Sequence, residues 1–215
     1  MSTGMLGNNK ALRAFWNGPL LTLIERINGP EGEEELKALN RFLRKENPWP
    51  HLATLDEIPV WRSVKLGGHK SYRGYCQSLT RNGNRVSEWG MDILKNVRVK
   101  RNPTEVNLVL VTGRDLGFSN AVKRSAIYAK ALSLGLKLCD AEVGPALREQ
   151  CRERYPDQPR NEHFYIGMQP IKGSDGELRI FLLENEDSLV YWLHGWHGDP
   201  DRSWDPNDQW VFVKK

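Results

Sequence analysis

Apolar and polar positions along this chain follow two rhythms, and the change from one to the other organises the reading. Val106–Val111 (VNLVLV) is a nearly unbroken apolar, β-branched run, the pattern of a strand covered on both faces. A loop over Thr112–Phe118 leads into an amphipathic helix, Ser119–Leu134, with Ser119 as its expected N-cap and Gly135 at the left-handed terminus. Leu136–Cys139 then reads as a short strand. Ala141–Pro145 opens a second helix that runs through Arg154 and turns Leu147 and Cys151 inward.

Upstream the rhythm is helical. Lys10–Trp16 is a short helical stretch, and Pro19 suits the first turn of a helix reaching about Ile27. Glu31–Glu46 has Leu36, Leu39 and Leu43 on one face, acidic residues first and basic residues last, as a helix dipole favours. Asn47-Pro48 stops it, and Pro48–Pro59 reads as a linker, so a boundary is expected near residue 60: an N-terminal helical segment and linker over 1–59, then a main domain over 60–215. Val60–Leu66 fits an edge strand. Helices are expected over Lys70–Thr80 and Ser87–Val97, the second burying Trp89, Ile93 and Val97. Two short helices across a tight turn invite a helix-turn-helix reading, but Glu88 and Asp92 would set carboxylates against phosphate, so packing on the sheet is preferred.

From Glu162 the period falls to two. Phe164, Ile166 and Met168 alternate with His163 and Tyr165, Gly173–Gly176 supplies turn chemistry, and Leu178–Leu183 returns antiparallel. Leu189–His194 and Gln209–Val213 follow as strands around a loop, Gly195–Asp208, rich in Gly, Asp and Trp. The fold class is α+β: N-terminal helices followed by a mixed, mostly antiparallel sheet with packed helices. Leu36, Leu39, Trp89, Val109, Ile127, Leu147, Ile166 and Phe212 are its expected core markers.

Composition narrows the classes. Eight tryptophans and a hydrophobic content of 39% exclude global disorder. No apolar run approaches the roughly 20 residues of a membrane helix, and Met1–Asn9 lacks the form of a secretory signal, so the expected location is the cytoplasm. Cys76, Cys139 and Cys151 have no paired spacing and suit buried thiols in a reducing compartment. Charge is distributed unevenly. Residues 61–105 carry ten basic and three acidic side chains, while 161–215 carry five and ten. Such a basic middle is either neutralised across the fold or presents a face to an anionic partner, nucleic acid first.

Four groups carry candidate chemistry. Arg81, Arg85, Arg98, Lys100 and Arg101 are the anion-binding candidates. Glu142, Arg148, Arg152, Tyr155, Gln158 and His163 gather carboxylate, guanidinium and amide around a helix end, as a polar or phosphorylated ligand would need; a buried hydrogen-bond network is the preferred alternative. Trp192, Trp196 and Trp204 form either a stacking platform for a sugar or base or a plug at one end of the sheet. His194 and His197 lack an evident third ligand, with Asp199 and Asp201 the nearest carboxylates, so no metal and no cofactor are expected. Phosphate-loop, dinucleotide, serine-hydrolase and zinc-protease signatures are all missing.

Several stretches in order resemble a family of uncharacterised bacterial proteins. They are NRFLRKENPW (Asn40–Trp49), EWGMDILKN (Glu88–Asn96), DLGF (Asp115–Phe118) and LGLKLCDAEVGPALR (Leu134–Arg148), then YPDQP (Tyr155–Pro159), IGMQPI (Ile166–Ile171) and WVFVKK (Trp210–Lys215). The resemblance covers roughly residues 35–215. It departs from the pattern at Asp140, where proline often follows the cysteine, and across Gln150–Arg154. It implies no activity, ligand or catalytic residue. The functional expectation is a non-enzymatic binding module for an anionic partner, nucleic acid first, or for another protein, using residues 61–105. The alternative is a small enzyme working near Glu142, Arg148 and Gln158.

Overall fold

A computed structural model of the chain describes residues 19–29, 32, 36, 39, 55–154, 163–185 and 190–214. The chain divides into two units, Met1–Pro50 and His51–Lys215. The division falls before the expected boundary near residue 60 because Ile58 is fully buried and its carbonyl accepts from Nζ of Lys214, close to the far end of the chain. In the first unit, helix α1 (Pro19–Ile27) forms where Pro19 starts it. Gly32, Leu36 and Leu39 are helical; Leu36 is exposed, unlike the core position expected of it, and Leu39 is half-buried. The remainder of the proposed Lys10–Trp16 and Glu31–Glu46 helices lies outside the described residues.

The larger unit is built on one mixed sheet. The strands of this unit in chain order are β1 (Arg62–Leu66), β2 (Arg85–Val86), β3 (Thr104–Thr112), then β4 (Val122–Lys123), β5 (His163–Ile166) and β6 (Ile171–Lys172). They are followed by β7 (Leu178–Asn185), β8 (Tyr191–His197), β9 (Ser203–Trp204) and β10 (Gln209–Lys214). The order across the sheet is β1-β3-β10-β5-β7-β8-β2, with β6 on β7 and β4 pairing separately with β9. Only β10–β5 and β2–β8 are parallel, so the sheet is mostly antiparallel, as the turn chemistry predicts. Leu136–Cys139 makes only two isolated bridges, Lys137 to Val213 and Cys139 to Met168, rather than a strand.

Helices cover both faces. They are α2 (Tyr72–Arg81), α3 (Glu88–Leu94), α4 (Arg124–Ser133) and α5 (Val143–Arg154). α4 starts later than expected: Lys123, not Ser119, holds the cap position, because Val122 and Lys123 pair with β9 first. Gly135 does end it, at φ +89°. Tyr128 of α4 packs edge-on against Trp210 and Phe212 on one face of the sheet. On the other face α5 lies over β7 so closely that a Cβ at Gly144 would stand 2.5 Å from the Phe181 ring. Val109, Ile127, Leu147, Ile166 and Phe212 are all fully buried between these layers.

α2 and α3 do not form a helix-turn-helix pair. Arg85 and Val86 separate them as a strand in parallel register with Trp192 and Leu193. Trp89 departs from the expected core: it is 49% exposed, because α3 spans just seven residues after its Ser87 cap and sets Trp89 in its first turn, at the sheet margin.

Candidate functional site

The cluster expected around the Ala141–Pro159 segment is an interior brace at its described end. Glu142 is completely buried. Its Oε1 accepts from the Gly67 amide and the Tyr75 hydroxyl, both at 2.7 Å, and its Oε2 accepts from the Lys100 amide at 2.7 Å. Three separate segments are thereby tied to the start of α5. Burial and the Glu142 carboxylate together push the Tyr75 phenol far above its ordinary pKa, so it stays a donor. Arg148 is fully buried with its guanidinium 4.7 Å from the centroid of the Tyr191 ring, and Arg62 donates to the sulfur of Cys151. Tyr155 and Gln158 lie outside the described residues. Arg152 is helical, with a side chain also outside them.

His163 belongs elsewhere. It sits on β5 opposite Glu184 of β7, on the sheet face away from α5. That face carries two imidazole–carboxylate pairs: His163 with Asp208 at 3.4 Å and His194 with Glu184 at 3.1 Å. Tyr165 lies beside His163, ring centroids 5.3 Å apart. Burial raises its phenol pKa, and the charges of Asp208 and Glu184 raise it further.

β8 continues this face. Along Tyr191–His197, Tyr191, Leu193 and Gly195 are buried while Trp192, His194 and Trp196 are half-exposed. The alternation is that of a strand with one wet face. Glycine did not make this stretch a loop, contrary to the expectation for Gly195–Asp208. Gly195 lets α3 approach: a Cβ there would stand 2.5 Å from the Trp89 carbonyl oxygen, and one at Gly90 would stand 2.5 Å from that of Leu193. The same period separates His194 from His197. Three residues apart on a strand, they project to opposite faces and do not converge. Among the described residues no group of three or more His, Cys, Asp or Glu is placed to hold a metal ion.

The tryptophans divide likewise. Trp204 is buried against Tyr165 and Trp210, over the middle strands of the sheet rather than at one end of it. Trp192 stacks on His194 with centroids 5.0 Å apart and planes at 19°, and the Arg85 guanidinium lies 5.4 Å from the Trp192 centroid. Beyond His194, where β2 has ended and α3 begins, a pocket of about 350 Å³ is lined by Ser87, Glu88, Trp89, His194, Gly195 and Trp196. Arg179 packs 4.8 Å from the Trp89 centroid and is ion-paired to Asp175, whose carboxyl it holds far below the usual range. Burial, then Arg202 and Arg179, lowers the His197 pKa and favours its neutral form.

The anion-binding candidates are unequal. Arg81, Arg85, Arg98 and Arg101 are exposed. Lys100 is engaged with Asp140 at 2.6 Å, a hydrogen bond that raises its pKa. Sequence reasoning missed Trp89, Glu184 and Asp208. A period-two reading of YWLHGWH would have placed Trp192, His194 and Trp196 on one face, but the cross-strand partners of His163 and His194 carry no local signal.

No family model, curated protein or solved structure matches the chain.

Proposed function

We propose that the protein is a binding module for single-stranded nucleic acid. The observation that carries this reading is the partly exposed Arg85–Trp192–His194 stack on the outer face of β8. Stacked rings with an adjoining cation are what an unpaired strand needs: bases lie on aromatic faces and phosphates meet guanidinium. Arg81, Arg98 and Arg101 are further exposed cations on the surface, while Glu142, placed in the interior, serves the fold. Fluorescence anisotropy with labelled single-stranded and duplex oligonucleotides tests the proposal. Single strands bind more tightly than duplex, and Trp192→Ala or Arg85→Glu weakens them. Equal affinity for the two forms, or no effect of either substitution, contradicts it.

A second reading, a small enzyme acting on a polar substrate, is favoured by the His163–Asp208 and His194–Glu184 pairs on one sheet face. It moves the enzymatic candidate from Glu142, Arg148 and Gln158 to that face. Its readout is turnover that His163→Gln abolishes while nucleic-acid affinity is retained.

A further inference from the structure

Building on that reading, we infer that the pocket beside β8 is a slot for one guanine base. Side chains on alternate residues of a strand stand about 6.6 Å apart, roughly the spacing of two rings with a third between them. His194 stacks on Trp192 with centroids 5.0 Å apart, and on its other side it lines, with Gly195 and Trp196, the pocket of about 350 Å³. Its volume lies at the small end for ligand sites, the size of a nucleoside rather than a larger molecule. His194 and Trp196 line it with aromatic rings from one face of the strand, and Trp89 borders it from α3. Such walls suit a ring that is flat with two π faces, whereas a puckered sugar stacks on one.

The polar rim selects among bases. Ser87 accepts the Gly90 amide at 3.0 Å, which leaves its own hydroxyl proton to donate. The neighbouring Glu88 carboxylate has no partner among the described residues and offers acceptors only. A donor beside a double acceptor complements the Watson–Crick edge of guanine, which presents one acceptor (O6) and two adjacent donors (N1–H and N2–H). Adenine and cytosine each bring one donor and at least one lone pair to that edge. Thymine turns its O2 lone pair toward the carboxylate. Guanine alone brings two donors, and a bidentate carboxylate contact of this kind is a strong discriminator.

Calorimetry with thymidine pentanucleotides whose central base is guanine, adenine, cytosine or thymine tests the assignment, with guanosine monophosphate as a separate arm. The guanine pentamer binds about ten-fold or more tighter than the others. Glu88→Gln removes that preference while leaving the thymine pentamer unchanged, and Trp196→Ala weakens all four. Guanosine monophosphate binding with the same Glu88 dependence identifies a free nucleotide as sufficient; binding of the pentamer alone identifies the polymer. Equal affinity for all four pentamers overturns the guanine slot and leaves the nucleic-acid module standing. Failure of every pentamer, or binding of a neutral oligosaccharide in their place, overturns both.

Discussion

Tyr75 and Glu142 meet in the protein interior, the phenol donating a 2.7 Å hydrogen bond to a carboxylate that has no solvent exposure. The same carboxylate receives the amides of Gly67 and Lys100, so it joins the end of β1, α2 and the segment before β3. Removing it strands three donors. Glu142→Ala is expected to cost about 3–5 kcal/mol in urea denaturation. Glu142→Gln, which keeps one acceptor oxygen, costs less and leaves oligonucleotide affinity unchanged.

The close approach of α3 to β8 depends on two glycines. Gly195→Ala places a methyl 2.5 Å from the Trp89 carbonyl oxygen, and Gly90→Ala places one 2.5 Å from that of Leu193. Backbone must shift in either case, at an expected cost of about 1–3 kcal/mol. Because the shift carries Trp89 with it, a change in tryptophan emission accompanies the lost stability.

Tyr75, Tyr128 and Tyr165 are protected from ionisation. Burial pushes Tyr128 up to about 12, against the opposing charge of Arg124, and raises Tyr75 and Tyr165 as well. A phenol with a raised folded pKa stabilises the fold fully below its unfolded value, about 10, and loses that contribution as pH rises through the folded value. Alkaline absorbance titration is therefore expected to show Tyr75, Tyr128 and Tyr165 ionising well above the ordinary phenol range. Tyr128 ionises near pH 12 and Tyr75 and Tyr165 ionise later still, together with loss of the far-ultraviolet signal.

Trp89 and Phe212 are predicted to separate binding from stability. Phe212 is fully buried and Trp89 is 49% exposed. Phe212→Ala is expected to cost about 3–5 kcal/mol, whereas Trp89→Ala costs about 1 kcal/mol or less and weakens ligand binding at the β8 pocket. Urea denaturation and oligonucleotide titration of the two variants check this.

Legibility in the sequence followed how local each signal was. Val109, Phe212 and Ile166 were readable as core because strand periodicity and a continuous apolar run are local patterns. Gly135 was readable as a helix terminus for the same reason. Trp89 was misread because its spacing to Ile93 is that of a helix face, while the short α3 leaves its first turn at the sheet margin. Glu142 stood out as a buried polar candidate, but its partners Gly67, Tyr75 and Lys100 lie far away in the chain and no spacing announces them. Gly195 concealed the Trp192–His194–Trp196 face: glycine reads as a loop, and its actual reason, room for the α3 backbone, exists only once α3 is packed.

The most direct test of the central claim is the salt dependence of single-stranded binding. Affinity for oligothymidylate, measured across a salt series, is predicted to fall with a log–log slope of about −0.7 per phosphate contacted. The slope flattens, and low-salt affinity drops, when the exposed Arg81, Arg85, Arg98 and Arg101 are all reversed to glutamate. No binding at low salt, or a slope that the reversal leaves unchanged, contradicts the account.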